Sequence, residues 1–147
     1  MTASPLSLHL LRTVAASPTQ VFDAWTTADQ LKRWTCPDPN AEVSVNIDLR
    51  ASGHYSIRMD AEGGPFTAQG TYRVVDRPLR LVYTWAWKEE AHPMQEETLV
   101  TVELVEAADG TEIRLAHEGF PTPGDRDGHE QGWKICLDRL AEWVTPR

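Results

Sequence analysis

The most informative absences are of charge clusters, long apolar runs and cysteine. The 147 residues carry a formal net charge of −8, and the lysines and arginines are scattered without a basic run. A phosphate backbone or an anionic lipid surface repels such a chain on average, so nucleic-acid binding is not expected. No apolar stretch approaches bilayer length, which argues against membrane insertion. Met1-Thr2-Ala3-Ser4-Pro5 has no basic start, and the apolar residues after it are broken by His9 and Arg12. This is not the pattern of a secretory signal, and the cytoplasm is the expected location. Cysteine is scarce. Cys36 and Cys136 lack metal-ligand spacing and read as two free buried thiols. There is no phosphate-binding glycine loop, dinucleotide fingerprint or nucleophile elbow, so no cofactor is expected. Internal repeats and low-complexity tracts are missing too. A chain of this length suits one domain, 1–147, with enough buried surface to need no metal or disulfide.

What remains is patterning. Leu6, Leu8 and Leu10 alternate with polar neighbours, which predicts a half-buried strand ending near Ala16. Ser17-Pro18-Thr19-Gln20 carries a cap, a proline at the first helical position and the partner of a capping box. Val21, Phe22 and Trp25 then share a face. Thr27 is a second cap candidate before Leu31 and Trp34, and Pro37 and Pro39 are expected to stop that second helix.

From Glu42 to His117 the period becomes two. The alternating sets are Val43–Leu49, Tyr55–Met59, Phe66–Val74, Leu79–Trp87, Val100–Leu104 and Ile113–Leu115, divided by turn residues such as Gly63-Gly64-Pro65 and Asp109-Gly110. Short turns favour an antiparallel meander. Glu118 to Asp127 reads as a Gly/Pro-rich loop. His129, Trp133, Cys136, Leu137, Leu140 and Val144 then fall on one face of a helix of about four to five turns, ended by Pro146. The predicted fold is α+β, in the order β-α-α-β-β-β-β-β-β-α. A curved seven-stranded antiparallel sheet needs the long C-terminal helix to cover its concave face.

At this point the chain resembles a known family. The matching residues are Ser17-Pro18 with Val21-Phe22 and Ala24-Trp25, Leu31 with Trp34, Gly53 with Tyr55, and Gly70-Thr71-Tyr72. They continue with Pro78-Leu79-Arg80-Leu81, Tyr83-Thr84-Trp85, Gly110-Thr111, His117-Glu118-Gly119-Phe120, and His129 with Gly132-Trp133. Their ordered set is similar to the homologues of the activator of the heat-shock-protein-90 ATPase. That family lies within the START-like, Bet v 1-like (SRPBCC) helix-grip superfamily. The resemblance implies a cavity between sheet and C-terminal helix, of the kind that holds lipids, sterols or polyketides elsewhere in the superfamily. Eukaryotic activators carry a further domain before this one. Here the first strand begins within ten residues, so that domain is expected to be missing, and the family name is not taken as a chaperone function.

Trp34, Tyr55, Ile57, Met59, Tyr72, Tyr83, Trp85, Trp87, His129 and Trp133 are the candidate ligand-binding residues, an apolar set with a few polar handles. Core packing is the competing role for each of them. His54, His92, His117 and His129 are the other residues of note. His117-Glu118 and His129-Glu130 lack a second histidine four residues on, so no zinc-protease motif is present and no metal is expected. Glu89, Glu90, Glu96 and Glu97 read as a solvated loop. Three functions are open. The first is binding of a small apolar or amphipathic molecule. The second is a cyclase or hydrolase reaction in the same cavity, with His129 or Tyr72 as acid or base and no residue assigned as catalytic. The third is a protein-interaction module that contacts a chaperone. Exposed sheet edges also invite a homodimer.

Overall fold

In the computed structural model, residues 6–145 are described, so the expectations on residues 1–5 and on Pro146 lie outside the described residues. The elements follow the predicted order: β1 (Leu6–Val14), α1 (Pro18–Thr26), α2 (Ala28–Leu31), β2 (Glu42–Ile47), β3 (His54–Asp60), β4 (Phe66–Asp76), β5 (Arg80–Trp87), β6 (Thr98–Ala107), β7 (Gly110–Phe120) and α3 (Pro123–Val144). The strands form one antiparallel sheet in the order β1-β7-β6-β5-β4-β3-β2. Strand β1 therefore pairs with the last strand, and the two short helices lead from one sheet edge to the other. Alternation on the concave face places Tyr55, Ile57 and Met59 of β3, Val100, Val102 and Leu104 of β6, and Ile113 and Leu115 of β7 in one buried cluster with Trp133, Leu137 and Leu140 of α3.

The capping box at α1 forms as the residues require. The Ser17 hydroxyl accepts from the Gln20 backbone N–H at 3.2 Å, and the Ser17 N–H donates to the Gln20 side chain at 2.9 Å. Thr27 occupies the cap position of α2 but makes no side-chain capping bond. That helix ends at Leu31, well before Pro37.

Four other expectations are corrected. A register shift between Tyr72 and Val74 changes the parity of β4, so Val75 packs against the core. Leu79 lies in the turn before β5 and is exposed. The segment Glu118 to Asp127 is mostly not a loop. Its first residues complete β7, and α3 begins at Pro123 and runs for 22 residues. The start signal is local. The Thr122 hydroxyl accepts from the Asp125 N–H at 3.1 Å, and Pro123 takes the first helical position, where its missing N–H costs nothing. Gly110 also has a different task from the one its place beside Asp109 suggests. It pairs with Ala107 as the first residue of β7, and a Cβ there would sit 2.0 Å from the Val14 carbonyl oxygen.

Candidate functional site

The concave face divides into two regions. At the inner one, Tyr55, Ile57, Tyr72, Leu81 and Tyr83 surround a void of about 10 Å³ with Trp25, Trp85 and Trp133. The Tyr55 hydroxyl donates to the Thr84 carbonyl at 2.5 Å, and Trp25 donates its indole N–H to the Tyr83 hydroxyl at 3.0 Å. Burial holds all three tyrosine hydroxyls well above their ordinary pKa. This region is packed interior, with room for about one water.

At the outer region a cleft of about 330 Å³ opens between the sheet, the chain after α2 and the first half of α3. Strand β3 contributes Met59, strand β5 contributes Trp85 and Trp87, and the loop after β5 contributes His92. Thr35 and Pro37 form another wall. Helix α3 presents Asp125, His129, Trp133 and Cys136, and between them Gly124, Gly128 and Gly132. The residue spacing of four explains why these glycines share a face.

Of the residues singled out in the sequence, Met59, Trp85, Trp87, His129 and Trp133 line the cleft. Tyr55, Ile57, Tyr72 and Tyr83 line only the small inner void. Trp34 lines neither. It is fully buried, donates to the Ala24 carbonyl at 3.0 Å and meets Trp25 edge-on. Cys136, which shares the predicted helix face with His129 and Trp133, also lines the cleft. Thr35, Pro37, His92, Asp125 and the three glycines were missed as lining residues. The cap at Thr122 was the signal that extends α3 backwards and brings Gly124 and Gly128 onto the same face as His129.

Hydrogen bonds fix the state of the two central histidines. The Trp133 indole N–H donates to His117 Nδ1 at 3.0 Å, so that nitrogen carries no proton. His117 Nε2–H then donates to the Thr98 hydroxyl at 2.7 Å, and Thr98 donates to the Trp85 carbonyl at 2.8 Å. One neutral tautomer satisfies the whole chain. Burial, with His129 adding to it, pushes the His117 pKa well below the ordinary 6.5. His129 has the opposite tautomer. Its Nδ1 lies 2.7 Å from the Asp125 carbonyl, which only accepts, and its Nε2 receives the Trp87 indole N–H at 3.2 Å. Burial lowers its pKa as well, with His92 also lowering it, against an opposing contribution from the Asp125 carbonyl.

These assignments bear on chemistry. Both nitrogens of His129 are engaged, and a general base needs a free lone pair within reach of its proton. Tyr72 faces the packed void. Cys36 and Cys136 are free and buried; burial pushes the Cys136 thiol up to about 12, far from the thiolate a nucleophile requires. His92 stacks on Trp87 at 4.5 Å, and His117 and His129 lie 5.4 Å apart, whereas His54 lies at a groove elsewhere on the sheet. No group of three or more metal-ligating side chains exists among the described residues. No helix among them is long and apolar enough to cross a membrane.

Comparison with known proteins agrees with this architecture. A Chromobacterium violaceum crystal structure is 23% identical, with a TM-score of 0.83 over 96% of this chain and 98% of that one. One from Nitrosomonas europaea is 29% identical, with a TM-score of 0.78 over 95% and 94% of the two chains. A Silicibacter pomeroyi structure, named as a member of the family identified below, is 24% identical, with a TM-score of 0.77 over 93% and 96%. No curated protein sequence matches the chain. The family model described as "Activator of Hsp90 ATPase homolog 1-like protein" matches residues 15–145, so the chain belongs to that family, within the helix-grip superfamily.

Proposed function

We propose that this protein binds a small, largely apolar molecule in the cleft between its sheet and the first half of α3. The cleft itself carries the reading. Its 330 Å³ falls in the range of small-molecule sites, and its walls are mainly tryptophan, methionine and glycine. Trp85 and Trp87 meet edge-on at 5.5 Å, and Trp85 and Trp133 lie 6.0 Å apart, so rigid rings shape the space. Binding is favoured over turnover because His117, His129, the tyrosines and the thiols nearby are neutral and already hydrogen-bonded or buried.

Native mass spectrometry of freshly purified protein, followed by solvent extraction, tests the reading. A stoichiometric apolar adduct is the expected result. Protein that is isolated without one is titrated with the neutral fluorophore N-phenyl-1-naphthylamine. Absence of both an adduct and saturable fluorescence enhancement would sink the proposal.

A further inference from the structure

Six tryptophans allow an internal comparison. Five have an acceptor for the indole N–H: the Tyr83 hydroxyl for Trp25, the Ala24 carbonyl for Trp34, His129 for Trp87, His117 for Trp133 and the Gln30 side chain for Trp143. Trp85 has none. Its Nε1 is the one buried side-chain nitrogen or oxygen among the described residues without a partner. The residue is 7% exposed, and it borders the cleft and the small void beneath it. A buried donor without an acceptor carries its full desolvation cost, which native proteins rarely leave uncompensated.

A second observation concerns the opposite wall. Gly124, Gly128 and Gly132 stand at successive spacings of four on α3 and all border the cleft. Glycine inside a helix is unfavourable relative to alanine. Packing does not demand it here. A Cβ at Gly128 would meet nothing within 4 Å, and Cβ atoms at Gly124 and Gly132 would meet their nearest neighbours at 3.8 and 3.5 Å, ordinary contact distances. The helix gives up propensity and leaves the space open.

The charge around the cleft narrows the class further. No lysine or arginine lines it among the described residues, so an anion finds no counter-charge. Asp125 is its one formally charged group, and that carboxylate already accepts from the Thr122 hydroxyl at 2.9 Å. The unused group is a donor, which does not favour a cation.

Resting on the binding function proposed above, we propose that the cleft is a site for a planar, uncharged aromatic molecule bearing a hydrogen-bond acceptor. The acceptor takes the Trp85 indole N–H, and the molecule lies against the glycine face of α3. The ring walls at Trp87 and Trp133 favour a flat ligand, because aromatic faces pair well with aromatic edges and faces.

The probes are naphthalene, 2-acetylnaphthalene and 2-naphthoate, titrated by calorimetry into wild type, Trp85→Phe and Gly128→Leu. In wild type the ketone is expected to bind roughly threefold to tenfold more tightly than naphthalene, the range of one neutral hydrogen bond. Naphthoate is expected to be weakest. Trp85→Phe keeps the ring and should abolish the ketone's advantage while leaving naphthalene affinity unchanged. Gly128→Leu should weaken all three by at least tenfold without lowering the melting temperature. With tryptophan labelled at the indole nitrogen, the ketone should move one N–H resonance downfield in wild type, and naphthalene should not; this readout stands even where Trp85→Phe fails to fold. Equal affinity for ketone and naphthalene in wild type, as a water held by Trp85 would give, overturns the acceptor assignment and leaves apolar binding intact. Tightest binding of naphthoate overturns the uncharged class. Unchanged affinity in Gly128→Leu places the ligand elsewhere. Failure of all three probes in wild type, with N-phenyl-1-naphthylamine still bound, overturns the planar class alone; failure of every probe removes the binding function as well.

Discussion

The two halves of α3 face the same molecule and are held in different ways. The second half is anchored. Cys136, Leu137 and Leu140 are buried in the main cluster, Arg139 donates to the backbone carbonyls of Cys36 and Arg33, and Asp138 pairs with Arg12 on β1. Trp143 reaches back to Gln30 of α2. The first half is held to the sheet by two side-chain hydrogen bonds. Trp133 is tied to His117 and His129 to Trp87, and the intervening glycines offer no side chain at all. One helix thus combines a packed end that holds the fold with an open end that borders the cleft. The difference follows from residue volume along a single face, and each end can be broken separately.

The largest effect is expected from the packed end. Leu140 is fully buried, and Leu140→Ala removes three heavy atoms from a close-packed cluster. Such truncations cost about 2–5 kcal/mol. Urea denaturation followed by far-UV circular dichroism measures it. A loss below about 1 kcal/mol would mean that the second half is not the anchor.

The next effect lies at the junction. His117→Leu removes the acceptor of the Trp133 N–H and strands that donor in the interior. A stranded buried donor costs about 1–3 kcal/mol. In the combined variant with Trp133→Phe the stranded donor is gone, so the two losses should fall short of additive, and a double-mutant cycle reads the coupling. Full additivity would show that the bond contributes nothing.

Acid should act through the same pair. His117 and His129 are neutral in the folded protein with pKa values below the ordinary 6.5. Between those folded values and 6.5 the unfolded chain binds more protons, so stability rises with pH. It is complete above about 7.5 and is lost as pH falls below 6.5, by up to about 1.4 kcal/mol per pH unit for each histidine. Urea midpoints at pH 7.5, 6.5 and 5.5 test this, and His117→Gln should reduce the slope. A flat profile down to pH 5.5 would contradict the neutral tautomers assigned here.

The contrast between the halves of α3 also shows how much could be read from sequence. Strand and helix order was legible because alternation from Val43 to Leu115 and the caps at Ser17 are local signals, each set by a few neighbouring residues. Most of α3 was legible too, through the stripe from His129 to Val144. Its first turns were not, because Pro121, Pro123 and Gly124 suggest loop by composition, while Thr122 and Asp125 set a helix start that only the cap geometry reveals. The candidate site was half legible. Period two put Tyr55, Met59 and Trp85 on one face, but alternation carries no information about depth. Whether a concave-face residue meets a void of 10 Å³ or a cleft of 330 Å³ is decided by what α3 places opposite. His117 was within reach, since Ile113, Leu115 and His117 share a strand face; its partners Thr98 and Trp133 come from distant segments that no local pattern joins.

The smallest effect sharpens the contrast most directly. At Gly128 an added methyl meets nothing within 4 Å, so Gly128→Ala carries no steric cost. Alanine is favoured over glycine in a helix interior by about 1 kcal/mol, through reduced freedom of the unfolded chain. Gly128→Ala should therefore raise stability by about 0.5–1 kcal/mol, with the denaturant slope unchanged. At the other end, Leu137→Gly reverses the exchange, losing both propensity and packing, and should cost several times more than Gly128→Ala gains. If Gly128→Ala instead destabilised the protein, the glycine would be required by the backbone. The open face of α3 would then be a consequence of chain geometry and not a space reserved for a ligand.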